Sequence, residues 1–372
     1  MIFPIPVNQP LLNGDEKNFL TECIDSGWIS SEGPFVKQFE EQFAARVGRR
    51  YGIAVSNGSA ALEVAIAALE IGQGDEVILP TFTIISCAAA IVRAGATPIV
   101  IDCDPETWNM DTRQIEQHIT KNTKAIMVVH IYGFPVDMNP VMALAEKYGL
   151  HIIEDAAEVI GQTYHGRPCG SFGNVSTFSF YSNKHVTTGE GGMLVTDDAA
   201  LAERCQSLRN LCFLPEQRFV HEELGWNFRM TNLQAALGVA QLKRLDELIV
   251  RKRQMGQYYS ELLADVTEIQ LPLPYTAYSD NIYWVYGIVL KQHVSFDAKE
   301  AMRRLAQKNI GTRPFFWPMH EQPVFQKMGL CEGISCPNAE YIARRGFYLP
   351  SGLALTKHQM EQVVLTLKEI LR

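Results

Sequence analysis

A single lysine stands in a loop between two predicted strands, just before a glycine-rich turn. Strand residues 175–180 precede Lys184, and the turn carries three glycines within 189–192. A lone lysine is usually a solvated surface residue, but one held at strand ends can form a Schiff base with a carbonyl cofactor. Ser179 offers a hydroxyl to a cofactor phosphate, and the glycines permit close approach of the backbone. This segment therefore predicts a site for a carbonyl cofactor.

A second segment, Val55-Ser56-Asn57-Gly58-Ser59-Ala60, joins a predicted strand to a predicted helix. Gly58 and Ser59 would place backbone N–H groups at a helix N-terminus, where the dipole favours a phosphate. Serine and asparagine are also the preferred helix caps, so the segment alone more often marks a plain cap. The chain has no G-x-x-x-x-G-K-[ST] motif, and no G-x-G-x-x-G follows a strand. A P-loop and a Rossmann dinucleotide site therefore lack their signatures.

A third segment places two carboxylates after a buried strand, in Ile152-Ile153-Glu154-Asp155-Ala156-Ala157-Glu158. The carboxyl ends of strands are where α/β sheets bind ligands. Asp155 there could keep a pyridinium nitrogen protonated and so preserve an electron sink. A helix cap is an equally good interpretation of Asp155 when the segment is taken alone.

The composition excludes several classes of partner and site. The chain has 372 residues, 47% of them hydrophobic, and a net charge of −8, which disfavours nucleic acid as a partner. Its eight cysteines show no zinc spacing and are typical of thiols in a reducing compartment. Prolines within residues 1–12 argue against a signal peptide, and no apolar run reaches spanning length. We therefore expect a cytoplasmic protein that is not bound to a membrane.

Short apolar runs alternate with helical periodicity through the first two thirds of the chain. The predicted strands are Tyr51–Val55, Glu76–Leu79, Thr97–Ile101, Ala125–His130, His151–Glu154, Val175–Phe180 and Gly192–Thr196, and the helices between them are Ala60–Ile71, Ser86–Ala94, Asp111–His118, Asn139–Tyr148 and Ala199–Arg209. This alternation predicts a layered α/β domain with a mainly parallel, seven-stranded sheet.

The pattern changes after Asn232. A long helix is predicted from Leu233 to Asp265, and its basic residues 251–253 are expected on a solvated face. A strand over Ile282–Leu290 and helices over Asp297–Lys308 and Thr356–Leu371 are predicted to follow. We expect residues 1–240 to form the large cofactor-binding domain, including an N-terminal arm. Residues 241–372 would form a smaller C-terminal α+β domain.

Four segments in one order resemble the DegT/StrS-type sugar aminotransferases. They are S-N-G-[ST]-x-A-L at 56–62, E-D-A-A-x at 154–158, K-x-x-T-T-G-E-G-G at 184–192 and G-x-N-x-R-M-T-x at 225–232, and the resemblance covers essentially the whole chain. It implies a fold-type I transferase that uses pyridoxal 5′-phosphate (PLP), bound through Lys184. It also implies a homodimer with active sites at the interface, in which Asn227 reaches the PLP phosphate of the partner subunit.

The resemblance also suggests cofactor and substrate contacts. It places Asp155 at the pyridinium nitrogen and Glu158 near the ring hydroxyl. Many relatives stack an aromatic residue on the PLP ring in a P-x-x-T-aromatic segment; here that position is Ile84, so either Ile84 or Phe82 covers the ring. The candidate substrate residues are Trp28, Ser31, His185, Arg229, Arg313 and His320. His185 and His320 could equally be packed core histidines, and Trp28 could pack a domain junction.

Within the family the chain resembles GDP-perosamine synthases, as seen in Gly27-Trp28-Ile29-Ser30-Ser31 and Arg313–His320. The implied reaction moves an amino group from L-glutamate, leaving 2-oxoglutarate, to GDP-4-keto-6-deoxy-mannose. A dTDP- or UDP-linked keto sugar is the alternative acceptor. A PLP sugar dehydratase, which has histidine in place of the Schiff-base lysine, and a non-catalytic sensor on the same scaffold are further alternatives.

Overall fold

The computed structural model describes residues 5–214 and 216–371, so part of the proline-containing N-terminal segment lies outside the described residues. The α-helices are α1 (Glu16–Ser26), α2 (Pro34–Arg46), α3 (Gly58–Ala68), α4 (Ile85–Arg93), α5 (Met138–Tyr148), α6 (Ala199–Arg209), α7 (Asn232–Leu242), α8 (Leu245–Leu262), α9 (Ala298–Gln307), α10 (Pro323–Lys327), α11 (Pro337–Arg345) and α12 (Lys357–Leu371). The strands are β1 (Tyr51–Val55), β2 (Glu76–Pro80), β3 (Thr97–Ile101), β4 (Thr123–Val129), β5 (His151–Asp155), β6 (Thr163–Tyr164), β7 (Arg167–Pro168), β8 (Val175–Ser179), β9 (Gly192–Thr196), β10 (Ile269–Gln270), β11 (Tyr286–Leu290), β12 (Arg313–Pro314) and β13 (Gly346–Leu349).

Seven strands form one sheet in the order β1-β9-β8-β5-β4-β2-β3. Strands β8, β5, β4, β2 and β3 pair in parallel, whereas β9 is antiparallel to both of its neighbours. Alternate residues of β2 pack into different hydrophobic cores. Val77 and Leu79 belong to the core on one face of the sheet, and Ile78 belongs to the core on the other. This is the pattern of a strand covered on both faces. The predicted α/β fold with a mainly parallel, seven-stranded sheet is confirmed.

The C-terminal part is built on a smaller antiparallel sheet, β10-β11-β13-β12. Its core combines Met255 and Tyr259 of α8 with Leu305 of α9 and Val363 of α12. Ile5 bridges to Ile310 and joins this core, so the N-terminal arm contacts the C-terminal part at Ile5. The division of the chain at residue 240 stays a prediction.

Three predicted elements differ from the structure. Residues 111–118 form two short 3-10 turns, Thr112–Gln114 and Glu116–His118, because Asp111 caps the first turn through the N–H of Arg113. The single long helix after Asn232 is divided into α7 and α8, because the backbone at Arg244 leaves the helical conformation (φ −108°, ψ 7°). The strand over 282–290 begins only at Tyr286, because Tyr283 has a left-handed backbone with φ 49°.

The prediction of a solvated basic face at residues 251–253 is wrong for Lys252. This residue is only 3% exposed and donates from Nζ to the carbonyl of Trp284 over 2.7 Å and to that of Ser351. Arg251 and Arg253 are exposed, and Arg251 also donates to the carbonyl of Leu353. The Lys252 side chain points into the junction between α8 and the C-terminal sheet, where backbone carbonyls take the place of water.

None of the helices within 5–214 and 216–371 is long and apolar enough to cross a membrane.

Candidate active site

A cavity of about 720 Å³ opens where the strands of the large sheet end. One side, here the motif wall, is formed by Gly58, Ser59, Asp155, Glu158, Ser179 and Lys184. The opposite side, here the C-terminal wall, is formed by Trp284, Arg313, Phe316 and Tyr348. Three segments distant in sequence therefore meet in one cavity, as the strand topology requires.

Lys184 lies on the motif wall with its side chain 8% exposed. Its Nζ is 3.8 Å from Oε1 of Glu158 and 3.7 Å from the centroid of the Trp284 ring. Burial lowers the pKa of this amine, and the charges of Glu158 and Asp155 oppose that shift. A lysine with a lowered pKa can act as a nucleophile towards a carbonyl and as a proton carrier near neutral pH.

Asp155 ends β5 and is buried below the cavity. Its Oδ1 accepts from the N–H of Ala157 over 3.1 Å, and its Oδ2 accepts from the Cys87 thiol over 3.3 Å. Burial raises the pKa of this carboxyl, against the opposing effects of these two hydrogen bonds. A buried carboxylate with few donors is well suited to a cationic partner such as a protonated ring nitrogen.

Glu158 follows in the same turn and is also buried. Its Oε2 accepts from the N–H of Tyr132 over 2.8 Å, and its Oε1 faces Lys184. Burial raises the pKa of Glu158 to about 7, and the charge of Lys184 opposes the shift. The amine and this carboxyl can therefore exchange a proton near neutral pH.

The N-terminus of α3 forms the anion-binding end of the motif wall. Asn57 caps the helix through the N–H of Ala60, over 2.8 Å. The other N–H groups of the first turn have no acceptors within the helix. The hydroxyls of Ser59 and Ser86 are 2.7 Å apart, and a Cβ on Gly58 would lie 2.8 Å from Cβ of Ser179. Only glycine at 58 lets the two segments approach this closely.

Ile84, rather than Phe82, faces the cavity. Ile84 is 41% exposed and lines the wall. Phe82 is fully buried in an aromatic cluster with Tyr132 and Phe315. Of the two candidates for covering a cofactor ring, the structure places Ile84 in position.

Four predicted residues lie outside this cavity. Ser31 and Arg229 line a separate cavity of about 510 Å³, together with Arg209 and Asn210. Trp28 is half exposed on the surface. Asn227 is exposed and accepts from Nε of Arg229 over 3.0 Å. The described chain alone does not bring these four side chains to Lys184.

The two predicted histidines are buried away from the cavity. His320 is held between the hydroxyl of Thr81 at 2.8 Å and Oε1 of Glu340 at 3.1 Å, so both ring nitrogens are already occupied. His185 is 1% exposed, and burial, with the charge of Lys252 second, lowers its pKa to about 3. The structure therefore favours the alternative that both are packed core histidines, and a contact of either side chain with a substrate stays a prediction.

Sequence reasoning missed several residues at the site. Ser86 and Cys87 follow the proline-threonine segment on α4, and that segment was the signal that could have led to them. Trp284 precedes β11 and Tyr348 lies on β13, about 100 and 160 residues beyond Lys184. No local spacing connects them with the lysine, so only the tertiary structure shows that they belong to the site.

Comparison with known proteins shows the family to which the chain belongs. The DegT/DnrJ/EryC1/StrS aminotransferase family model matches residues 10–368. The chain belongs to this family. It is 41% identical to the GDP-perosamine synthase of Escherichia coli O157:H7, covering 98% of both chains, and 39% identical to that of Caulobacter vibrioides, covering 99% of this chain and 98% of the relative. The Streptomyces venezuelae aminotransferase DesV superimposes with a TM-score of 0.88 at 34% identity, covering 96% and 94% of the two chains.

As a PLP-dependent sugar aminotransferase, the chain needs a cavity that fits its cofactor. The site contains a helix N-terminus with serine hydroxyls, which suits a phosphate. It also contains a buried carboxylate, which suits a protonated ring nitrogen, and a buried lysine, which suits a carbonyl. Thr177 Oγ1 and Asn183 Oδ1 also line the cavity, are buried, and have no partner among the described residues. Because buried polar groups are normally hydrogen-bonded, these two atoms suit a polar cofactor. The residues present therefore fit PLP.

Proposed function

We propose that this protein moves an amino group from L-glutamate to C4 of GDP-4-keto-6-deoxy-mannose, giving GDP-perosamine and 2-oxoglutarate. The observation that carries the proposal is the full-length similarity, near 40% identity, to GDP-perosamine synthases. A cytoplasmic location, where nucleotide sugars and glutamate are available, and a role in lipopolysaccharide O-antigen synthesis belong to the same proposal.

We assign the chemistry to the motif wall. Bound PLP supplies an electron sink for the proton transfer at Cα of the amino donor. Lys184 would hold the cofactor and, as a free amine, would carry the proton taken from Cα of the donor. Asp155 would support a protonated ring nitrogen, and Glu158 would lie near the ring hydroxyl and share a proton with Lys184. Gly58, Ser59 and Ser179 would bind the phosphate, and Ile84 would cover one face of the ring.

The four residues outside the cavity would act in a homodimer. Asn227 and Arg229 are side by side on a partly exposed segment, bonded to each other. We propose that Asn227 reaches the phosphate of the cofactor in the partner subunit and that Arg229, with Ser31 and Trp28, faces the nucleotide sugar there.

The acceptor is assigned to the C-terminal wall. Arg313 is exposed at the cavity, and the described residues provide no carboxylate within 4.0 Å of its guanidinium. Such an arginine suits the diphosphate of a nucleotide sugar. A dTDP- or UDP-linked keto sugar is the alternative acceptor, because an arginine can bind the diphosphate of any of these nucleotides. Lys184 at the motif position disfavours a dehydratase, and the complete site disfavours a non-catalytic sensor.

The test is a competition between acceptors. The PLP-loaded enzyme is given L-glutamate and GDP-, UDP- and dTDP-linked 4-keto-6-deoxy sugars, and amino-sugar products are measured by mass spectrometry. We expect the GDP-linked sugar to have the highest kcat/KM. A higher value for a UDP or dTDP sugar overturns the perosamine proposal, and production of 2-oxoglutarate in the first half-reaction would still support an aminotransferase.

A further inference from the structure

The amine of Lys184 lies against an aromatic face. Its Nζ is 3.7 Å from the centroid of the Trp284 ring, which belongs to the C-terminal wall. Trp284 is 4% exposed, so water is largely excluded from this contact. An ammonium over an indole face is stabilised by the ring quadrupole, and the effect increases when the pair is desolvated.

The indole is fixed beside the lysine by its own polar atom. Its Nε1 donates over 2.9 Å to the carbonyl of Asn183, the residue that precedes Lys184. The Tyr132 ring lies 5.9 Å from the Trp284 ring and limits its rotation. A Cβ on Gly133 would lie 2.5 Å from the backbone nitrogen of Trp284, so the main chain of Trp284 is also closely packed. The ring therefore has a defined position.

Lys252 contacts the main chain of Trp284. Its amine is buried and donates to the carbonyls of Trp284 and Ser351. Among the described residues, no carboxylate lies within 4.0 Å of this amine. A lysine buried without a charged partner is costly and uncommon. Its two hydrogen-bond acceptors are therefore backbone carbonyls, and one of them belongs to the residue that carries the indole.

We propose that Trp284 and Lys252 are positioning residues for Lys184: the indole face holds the free amine at the cavity wall and favours its protonated form, and Lys252 fixes the indole. The proposal rests on the proposed role of Lys184 as the residue that binds PLP. A lysine that is released and recaptured in each half-reaction needs a resting position. An aromatic face provides one without the directional hydrogen bond that a carboxylate would impose, so the amine can leave again.

Other ionisable groups near Lys184 come from two parts of the large domain. Asp155 ends β5 and Glu158 lies in the turn after it, while Cys87 belongs to α4. The carboxylates favour the protonated amine and burial disfavours it, and the Cys87 thiol, whose pKa is raised by burial, stays uncharged. Trp284 differs from these groups because it carries no charge of its own. Its replacement therefore changes the titration of Lys184 without adding or removing an ionisable group.

The first experiment titrates Lys184 in the full-length chain freed of cofactor. The rate of acetylation of Lys184 is measured against pH by peptide mass spectrometry for wild type, Trp284→Leu and Trp284→Phe. We expect Trp284→Leu to lower the pKa of Lys184 by roughly half to one unit, so that labelling below the pKa is about three- to tenfold faster. Trp284→Phe keeps an aromatic face and should give a smaller shift.

The control is Trp317→Leu, because Trp317 pairs with Arg344 at 5.0 Å and does not line the cavity. It should leave the titration of Lys184 unchanged. An unchanged titration in folded Trp284→Leu and Trp284→Phe would overturn the proposal. A shift in both variants of equal size would also contradict it, because the aromatic face would then have no role.

The second experiment uses Lys252→Met, which keeps the side-chain length and removes the amine. We expect a shift of the Lys184 pKa in the same direction as in Trp284→Leu, and no shift in Lys243→Met, where the lysine is at the surface beside Asp15. Loss of thermal stability with an unchanged Lys184 titration would show that Lys252 is only structural. Borohydride labelling with PLP separates this outcome from failure of the proposed function: a label on another lysine refutes the role of Lys184 and leaves the titration results intact.

Discussion

The two walls of the cavity differ in the backbone elements and the side chains that form them. The motif wall consists of strand ends and a helix N-terminus, and its functional groups are carboxylates, hydroxyls and backbone N–H groups held by short-range turns. Asp155 is bonded to Ala157, two residues away, and Asn57 to Ala60, three residues away. The C-terminal wall consists of rings and one exposed arginine. Trp284 is held by Asn183 and Lys252, which are 101 and 32 residues away.

This difference indicates a division of labour. Groups fixed by local turns keep their geometry when the two parts of the molecule shift, which suits a cofactor that must stay in register with Lys184. Apart from Trp284, which contacts Lys184, the groups of the C-terminal wall can differ between relatives without disturbing the cofactor, which suits the selection of a sugar. Substitutions on the motif wall should therefore reduce turnover, and substitution of Arg313 on the C-terminal wall should change substrate affinity.

The largest effect is expected for Lys184→Ala. The variant lacks both the cofactor-binding amine and the proton carrier, so production of 2-oxoglutarate from glutamate should fall by about 10³-fold or more. Single-turnover assays with added PLP measure this loss. Lys124→Ala, an exposed lysine on β4, is the matched control and should retain full activity. Wild-type rates in Lys184→Ala would show that the lysine takes no part in the reaction and would contradict the proposed difference between the two walls.

Asp155→Asn should have the next largest effect. The variant keeps the size of the side chain but lacks the charge that stabilises a protonated ring nitrogen, so we expect kcat to fall by roughly 10²-fold. The control Asp198→Asn replaces the exposed cap of α6, where asparagine caps equally well. A normal kcat with a raised KM in Asp155→Asn would contradict the division of labour, because a residue of the motif wall would then control affinity.

The same difference between the walls explains what could be predicted from the sequence. The strands of the large sheet were predicted to within about two residues, because continuous apolar runs between helical periods have one simple interpretation. Lys184, Asp155 and Ser59 could be singled out because each lies in a motif at the end of such a run, and the three line one cavity. Lys252 was misassigned, because its acceptors, the carbonyls of Trp284 and Ser351, are brought to it only by tertiary packing.

Arg313→Gln tests the C-terminal wall and should have a smaller effect. Losing a charge-assisted donor to a diphosphate is expected to raise KM for the nucleotide sugar about tenfold with little change in kcat. Arg313→Lys should restore part of the affinity. The control Arg93→Gln alters an arginine at the same cavity that is already paired with Glu63. A loss of kcat in Arg313→Gln, with KM unchanged, would place this residue with the motif wall.

The smallest effect is expected on stability, at Glu158 of the motif wall, which faces Lys184. Burial raises the pKa of this carboxyl to about 7 in the folded chain, above its ordinary value of 4.5. Between these two pH values the folded state binds a proton that the unfolded state does not, so stability falls as the pH rises. Glu158→Gln cannot ionise and should lose this part of the pH dependence.

The measurement is the Tm of the cofactor-free chain at pH 5 and pH 8. Wild type should lose a few degrees more than Glu158→Gln between these values. Glu300→Gln is the control, since Glu300 is paired with Arg303 and Arg304 on the surface, where its pKa is lowered and not raised. An identical loss of Tm in wild type and Glu158→Gln would mean that Lys184 keeps Glu158 ionised throughout. The proton shared between Glu158 and Lys184 would then reside on the lysine, which contacts the face of Trp284 on the C-terminal wall.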